Sequence, residues 1–230
     1  MPHFESYDGL RLSYTTLGAG PPLICLSGGP GADATSLGDL GGLAEHHTLI
    51  RLDARAGGDS EIPQDQASCA FPAQVKDIEA LRAHLGMRQI DLLAHSAGTL
   101  TAQAYAAAEP RRVRRLVLVA PAGRGSREPD AEEVARIQAR GVRTQEPAEN
   151  GSPPGWLRGA FYVEHQAKAL PHPVLAVAGA EDGIAGLTPA KLVADLHPAG
   201  VLAVLPGCGH WPWLDAPDPF TSVVSGFLAG

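Results

Sequence analysis

The sequence predicts an α/β protein in which helices cover both faces of a mostly parallel sheet of about eight strands. Three observations support this prediction. Short apolar runs recur along the 230 residues, segments with helical spacing separate most of them, and a hairpin signal lies near the amino terminus. Strands that alternate with helices form βαβ units, and repeated βαβ units build a doubly wound parallel sheet.

The predicted strands begin with an antiparallel hairpin. Partly alternating residues flank Asp8-Gly9, a dipeptide that favours a tight turn between two strands. The six later strands are continuous apolar runs, which are typical of strands covered on both faces. They are LICL (23–26), TLIRL (48–52), IDLLA (90–94), LVLVA (116–120), VLAVA (174–178) and VLAVL (201–205).

Spacing and capping residues locate the helices between these strands. An apolar series at helical intervals runs from Val75 to Leu85, and Gly86 follows it as a C-terminal cap. Thr188 and Asp218 each precede a proline, an order typical of an N-cap and the first helical residue.

One long segment lacks any strand signal. Residues 122–170 combine a charged stretch with a patch rich in proline and glycine. A segment of roughly fifty residues is too long for an ordinary connection between two strands. We therefore expect a core domain of residues 1–121 and 171–230 and a short helical lid of residues 122–170. A partly disordered loop is the alternative for this insertion.

Composition excludes several classes of protein. The net charge is −7 and no Lys/Arg-rich run stands apart, which argues against nucleic-acid binding. No apolar run reaches the roughly 18 residues that a membrane span needs, and the amino terminus does not resemble a signal peptide. The three cysteines lack the spacing of a zinc site. We expect a cytoplasmic protein that binds neither nucleic acid nor a membrane, with its oligomeric state open.

The stretch DLLAHSAGTL (91–100) places a serine between a predicted strand and a predicted helix. A strand that turns at once into a helix holds its corner side chain above the carboxyl ends of the strands. Ala94, Ser96 and Gly98 fit the small-x-Ser-x-Gly pattern of such a corner, although a buried turn serine would fit it too. Free N–H groups at the start of the helix would favour negative charge near Ser96.

Motifs at other strand ends resemble those of the α/β-hydrolase superfamily, in particular its proline iminopeptidase-like members. SGGPG (27–31) is similar to their HGGPG loop, and DARAGGDS (53–60) to D-x-R-G-x-G-x-S. GAEDGI (179–184) and GCGHWPW (207–213) stand where the family has its acid and its histidine. The chain departs from the family at two positions, because Ser27 replaces a histidine and Ala56 replaces a glycine.

The resemblance implies a role for each of five residues. Ser96 would be the nucleophile, His210 the general base and Asp182 the acid that orients the histidine. The chain order Ser, Asp, His is the order of this fold. Backbone N–H groups of Gly29 and Ala97 would form the oxyanion hole. This chemistry needs no metal and no organic cofactor.

Several residues remain as alternatives or accessories. His95 could be the base and Glu181 the acid, while Asp215 fits the turn before the last helix. Asp53 and Arg55 are expected to brace loops. Trp211 and Trp213 each fit either the pocket wall or the core. The candidate substrate contacts are the aromatic residues Trp156, Phe161, Tyr162 and Trp211.

Three classes of function fit these observations. The leading one is a serine hydrolase that acts on an ester, thioester or amide of a small molecule or peptide. An aminopeptidase or iminopeptidase is its special case, and would need lid carboxylates such as Glu132, Glu133 or Glu164 to hold the α-amine of the substrate. The second class is a lyase, C–C hydrolase or cyclase on the same triad, and the third is a binding protein without catalysis.

Overall fold

The computed structural model of the chain describes residues 1–122, 135 and 153–230, and these contain an eight-stranded sheet. The strands are β1 (His3–Glu5), β2 (Arg11–Leu17), β3 (Pro22–Leu26), β4 (Thr48–Leu52), β5 (Ile90–His95), β6 (Val113–Val119), β7 (Val174–Gly179) and β8 (Gly200–Leu205). Their order across the sheet is β1-β2-β4-β3-β5-β6-β7-β8. β2 is antiparallel to β1 and β4, and the other pairs are parallel. The predicted fold class, including the hairpin at its start, is confirmed.

The helices of the described residues lie on both faces of this sheet. They are α1 (Val75–His84), α2 (Gly98–Ala108), α3 (Leu157–Phe161), α4 (Thr188–Leu196), α5 (Pro212–Asp215) and α6 (Pro217–Ala229). Short 3-10 helices span Ala34–Leu37, Leu43–Glu45 and Gln66–Cys69. None of the helices in these parts of the chain is long and apolar enough to cross a lipid bilayer.

Helix ends differ slightly from the predicted ones. Gly86 has φ of +66° just beyond α1, as a C-terminal cap requires. Thr188, however, is the first residue of α4 and not its N-cap, and α6 already begins at Pro217. Asp218 therefore lies inside the first turn of α6, where a carboxylate is favoured by the free N–H groups. The prolines that follow Thr188 and Asp218 lie in the first turns of α4 and α6. They are tolerated there because the N–H groups of a first turn have no partner within the helix.

The continuous apolar runs reflect a core on each face of the sheet. Successive strand residues point to opposite faces, so both sets must be apolar when both faces are covered. On β5, Leu92 and Ala94 pack with residues of α1, α2 and α4, whereas Leu93 packs with residues of α6.

The last strand does not fit the expectation of burial on both faces. Val201 and Val204 of β8 are 50% and 39% exposed. β8 lies at the edge of the sheet, with β7 as its neighbour on one side only. An apolar run by itself does not distinguish an edge strand from a central one, and the prediction of full burial was wrong here.

A buried ion cluster ties the hairpin to the sheet and to α1. The Arg55 guanidinium is fully buried and donates two hydrogen bonds to Asp77, at 2.7 and 2.6 Å. It donates two more to Asp8, in the β1–β2 turn, at 2.6 and 3.1 Å. Burial alone would lower the pKa of Arg55, but the hydrogen bonds to the two carboxylates raise it above its usual range. Arg55 therefore stays charged and braces loops, as the sequence predicts.

The predicted lid falls largely outside the described residues. Its described residues are 122, 135 and 153–170. Among them, α3 packs on the core: Phe161 is buried against Phe71, Ala97 and Leu100.

Removing the buried partner of Arg55 should lower the free energy of unfolding more than removing the exposed one. Asp77→Asn leaves a buried guanidinium short of a counter-charge, and we expect it to cost on the order of 3 kcal/mol of unfolding free energy. Asp8→Asn is the matched control, because the Asp8 side chain is 35% exposed, and it should cost about 1 kcal/mol or less. Urea denaturation measures both. Equal losses in the two variants would contradict this account of the cluster.

Candidate active site

The turn between β5 and α2 holds Ser96 in a left-handed backbone conformation, with φ of +49°. The Ser96 N–H donates to the Val119 carbonyl at the end of β6, at 2.9 Å. The next residue but one must be glycine, because a Cβ on Gly98 would lie 2.4 Å from the Ser27 carbonyl oxygen. A Cβ on Gly28 would likewise lie 2.9 Å from the Cβ of Ser96. Glycine at positions 28 and 98 is therefore a steric requirement of this corner.

The structure brings together the three side chains of the predicted triad. His210 Nε2 lies 2.9 Å from Ser96 Oγ, and His210 Nδ1 lies 2.9 Å from Asp182 Oδ2. Each residue follows a different strand at the carboxyl edge of the sheet: β5, β7 and β8. The Asp182 and His210 side chains are 0% and 5% exposed.

The environment of Asp182 determines which nitrogen of His210 carries the proton. Burial raises the pKa of Asp182, but the hydrogen bond from His210, the charge of His210 and the N–H groups of Ala185 and Ile184 outweigh burial, so its pKa lies below the usual range. The carboxylate therefore only accepts hydrogen bonds, and Nδ1 of His210 must donate to it. Nε2 is left with a lone pair that faces the hydroxyl of Ser96. The acid in contact with His210 is thus Asp182 and not its neighbour Glu181.

Two further contacts fix the backbone around His210. Asp215 Oδ2 accepts a hydrogen bond of 2.8 Å from the Gly209 N–H. His95 Nε2 lies 2.9 Å from the His210 carbonyl oxygen and must be the donor there. The rings of His95 and His210 are 4.7 Å apart, and Trp213 packs edge-on against His95 at 4.8 Å.

His95 is a positioning residue in this geometry and not the base. Burial, and next the charge of His210, lower its pKa to about 3. Its ring is neutral at pH 7, and its one N–H is used by the His210 carbonyl. No sequence pattern indicates this contact.

A loop at the end of β3, residues 27–32, lies beside the turn of Ser96. It is hereafter called the oxyanion loop after its predicted role. Ser27 replaces the histidine of the HGGPG pattern, and its Oγ donates to the Ala32 carbonyl at 2.6 Å. Ala32 N–H donates to the Gly28 carbonyl at 3.3 Å, so two hydrogen bonds close the loop. Among the described residues, no acceptor bonds to the N–H of Gly29 or of Ala97. Neither of the two predicted oxyanion donors therefore has a hydrogen-bond acceptor in this part of the chain.

The other departure from the family pattern is also accommodated. Ala56 takes the left-handed conformation that favours glycine, with φ of +63°. Next to it, Asp53 accepts hydrogen bonds from the N–H groups of Ala34 and Asp59 at 2.8 and 3.2 Å. Asp53 thus braces two loops, as the sequence predicts.

The predicted aromatic contacts occupy different environments. Trp211 packs edge-on against His210 at 5.1 Å between ring centroids, while Trp213 is part of the core. Phe161 is buried over Ala97, and Tyr162 packs on the same cluster. Trp156 is half-buried beside Ala56.

The described part of the chain offers little for a metal or an amine. Within it, no three histidine, cysteine or carboxylate side chains come together in a way that could hold a metal ion. Of the three lid carboxylates considered for an α-amine, Glu164 is exposed, and Glu132 and Glu133 lie outside the described residues.

Comparisons with known proteins identify the family of the chain. The pattern of the α/β-hydrolase fold family matches residues 21–172. A 2-hydroxymuconate semialdehyde hydrolase from Pseudomonas sp. (strain CF600) is 30% identical over 96% of this chain and 91% of its own length. A proline iminopeptidase from Heyndrickxia coagulans is 33% identical, over 51% of this chain and 42% of its own length. The structure of an esterase from Rhodococcus sp. ECU1013 is similar with a TM-score of 0.80 and 25% identity, covering 100% of this chain and 98% of that one.

The family match covers more than half of the chain. The chain therefore belongs to the α/β-hydrolase family, and it is a hydrolase.

The low pKa of His95 should make stability depend on pH. The folded state holds His95 neutral down to about pH 3, whereas the unfolded state takes up this proton near 6.5. The free energy of unfolding should then fall as pH drops from 6.5 towards 3, by up to about 1.4 kcal/mol per pH unit from this residue. His95→Gln keeps an N–H donor but does not titrate, so its profile in this window should be flatter.

Urea denaturation at a series of pH values measures the difference. Ser222→Ala, at an exposed residue of α6 that does not titrate, is the control and should leave the profile as in the wild type. Parallel profiles for wild type and His95→Gln would show that His95 does not remain neutral in the folded protein.

Proposed function

We propose that the chain is a serine hydrolase that cleaves an ester, thioester or amide bond of a small molecule or peptide. One observation carries this proposal: His210 contacts Ser96 Oγ and Asp182 Oδ2 at once, each at 2.9 Å. A serine hydroxyl is a weak nucleophile until a base accepts its proton, and an oriented histidine is such a base.

Each proposed step uses a group described above. Ser96 Oγ attacks the acyl carbon while its proton passes to Nε2 of His210. Asp182 stabilises the imidazolium by its hydrogen bond to Nδ1. The N–H groups of Gly29 and Ala97 donate to the oxygen that becomes negative, an effect of about 3–4 kcal/mol per donor in measured cases. His210 then returns the proton to the leaving group, and water hydrolyses the acyl-enzyme by the same route.

A second candidate is hydrolysis of a carbon–carbon bond on the same three residues. The relative that matches over nearly the whole chain favours it, because that protein is named a 2-hydroxymuconate semialdehyde hydrolase. The iminopeptidase match covers half of the chain and gives weaker support for a peptidase.

Hydrolysis of para-nitrophenyl esters of short acids tests the leading proposal. Ser96→Ala removes the nucleophile and should lower turnover by several orders of magnitude, on the order of 10⁶ in comparable enzymes. Ser222→Ala changes an exposed serine of α6 and serves as the matched control. Ester turnover by Ser96→Ala at the wild-type rate would contradict the proposal. Turnover of a carbon–carbon substrate without any ester hydrolysis would select the second candidate.

The neighbouring residues Asp182 and Glu181 provide a test of which acid orients His210. Asp182→Asn no longer holds the correct tautomer of His210, and we expect kcat to fall on the order of 10⁴-fold while the fold is kept. Glu181→Gln alters the adjacent residue and should change kcat only slightly. Steady-state kinetics of both variants measure this contrast. A larger loss in Glu181→Gln than in Asp182→Asn would move the acid by one residue.

A further inference from the structure

An open cleft of about 300 Å³ separates the oxyanion loop from the described end of the predicted lid. One side is formed by Gly29, Pro30 and Ala32, and the other by Pro153, Pro154 and Arg158. Arg158 is the only charged residue among the described residues that line this cleft. The cleft borders Gly29, whose N–H group is a proposed oxyanion donor.

The position of Arg158 is fixed by its neighbour in α3. Leu157 is buried and fills the space that Gly31 leaves, since a Cβ on Gly31 would lie 2.3 Å from Leu157 Cδ2. This contact anchors α3 directly on the oxyanion loop. The Arg158 guanidinium lies 5.5 Å from the ring centroid of Tyr162, one helical turn later. A cation over an aromatic face is held there by the ring's negative face.

The guanidinium of Arg158 lacks an acidic partner within the described residues. Most other arginines of these regions contact a carboxylate: Arg11, Arg55, Arg82, Arg112, Arg114 and Arg115. Arg158 forms no such pair there and is exposed, although the chain as a whole carries a net charge of −7. A planar guanidinium stacked on an aromatic ring suits two-pronged binding of a carboxylate.

We infer that the cleft binds a carboxylate group of the substrate, with Arg158 as its partner. The substrate class is then an acyl compound that carries a free carboxylate besides the bond that is cleaved. This inference rests on the proposed function and names its substrate class. A cation at this position repels a free α-amine, so it disfavours the aminopeptidase special case.

Two esters of equal acyl length test the inference. The para-nitrophenyl ester of hydrogen glutarate ends in a carboxylate, and that of pentanoate ends in a methyl group. The measured quantity is the kcat/KM of the glutarate ester divided by that of the pentanoate ester. We expect this ratio to be about tenfold lower in Arg158→Gln than in the wild type. Arg158→Lys keeps the charge without the fork and should retain part of the preference. Pentanoate hydrolysis by the same variant is the reference for each ratio, since a methyl chain end forms no ion pair with Arg158.

The matched control is Arg111→Gln. Arg111 is exposed and lies just before β6, at the amino edge of the sheet, opposite the edge that carries Ser96. This variant should keep the wild-type preference. An unchanged ratio of the two esters in Arg158→Gln, or an equal loss in Arg111→Gln, overturns the inference.

Binding to an inactive protein separates this inference from the proposed function. Calorimetry with Ser96→Ala should give a dissociation constant for the glutarate ester about tenfold lower than with Ser96→Ala/Arg158→Gln. Equal affinities overturn the carboxylate site even if Ser96 is the nucleophile. Conversely, hydrolysis that does not depend on Ser96 removes the proposed function, while the two affinities still decide the carboxylate site.

Discussion

The close approach of the oxyanion loop to the turn at Ser96 is the constraint on which the rest of the site depends. Backbone atoms meet there with no room for side chains, since a Cβ on Gly98 would lie 2.4 Å from the Ser27 carbonyl oxygen. The left-handed turn then ends β5 and starts α2 within two residues. The Ser96 hydroxyl, the first helical N–H groups and the N–H of Gly29 thereby lie together at one edge of the sheet. A site of this kind is built by backbone geometry before any side chain contributes chemistry.

Sequence reasoning predicted the parts of the site that follow from chain order. Parallel strands end at the same edge, so the residues after β5, β7 and β8 had to lie close together. Strand runs and family motifs were therefore enough to predict Ser96, Asp182 and His210 as candidate site residues. Their mutual distances were not, because they depend on loop conformations that no periodicity encodes.

Other features could not be predicted because they involve backbone atoms of distant residues. His95 bonds to the carbonyl of His210, 115 residues later, and Ser27 bonds to the carbonyl of Ala32. A carbonyl acceptor has no residue type, so such contacts leave no pattern in the sequence. The exposure of β8 escaped prediction for a different reason, since the order of strands decides which of them is an edge.

The groups proposed for bond cleavage and the group proposed for substrate binding lie on different parts of the chain. The groups assigned to bond cleavage lie on the sheet and its loops, braced by buried contacts such as the Arg55 cluster. Arg158 lies on α3, which touches the core through Leu157 and Gly31. Specificity can therefore change with the segment after β6 while the reacting groups keep their geometry, as insertions at this edge allow.

The most direct test of the central claim is the site at which a neutral fluorophosphonate reacts. Mass spectrometry of the intact wild type should show one adduct, and peptide mapping should place it on Ser96. His210→Ala should react far more slowly, because no base then accepts the serine proton, and Ser96→Ala should not react. An adduct on another residue, or an unchanged adduct in Ser96→Ala, would contradict the account.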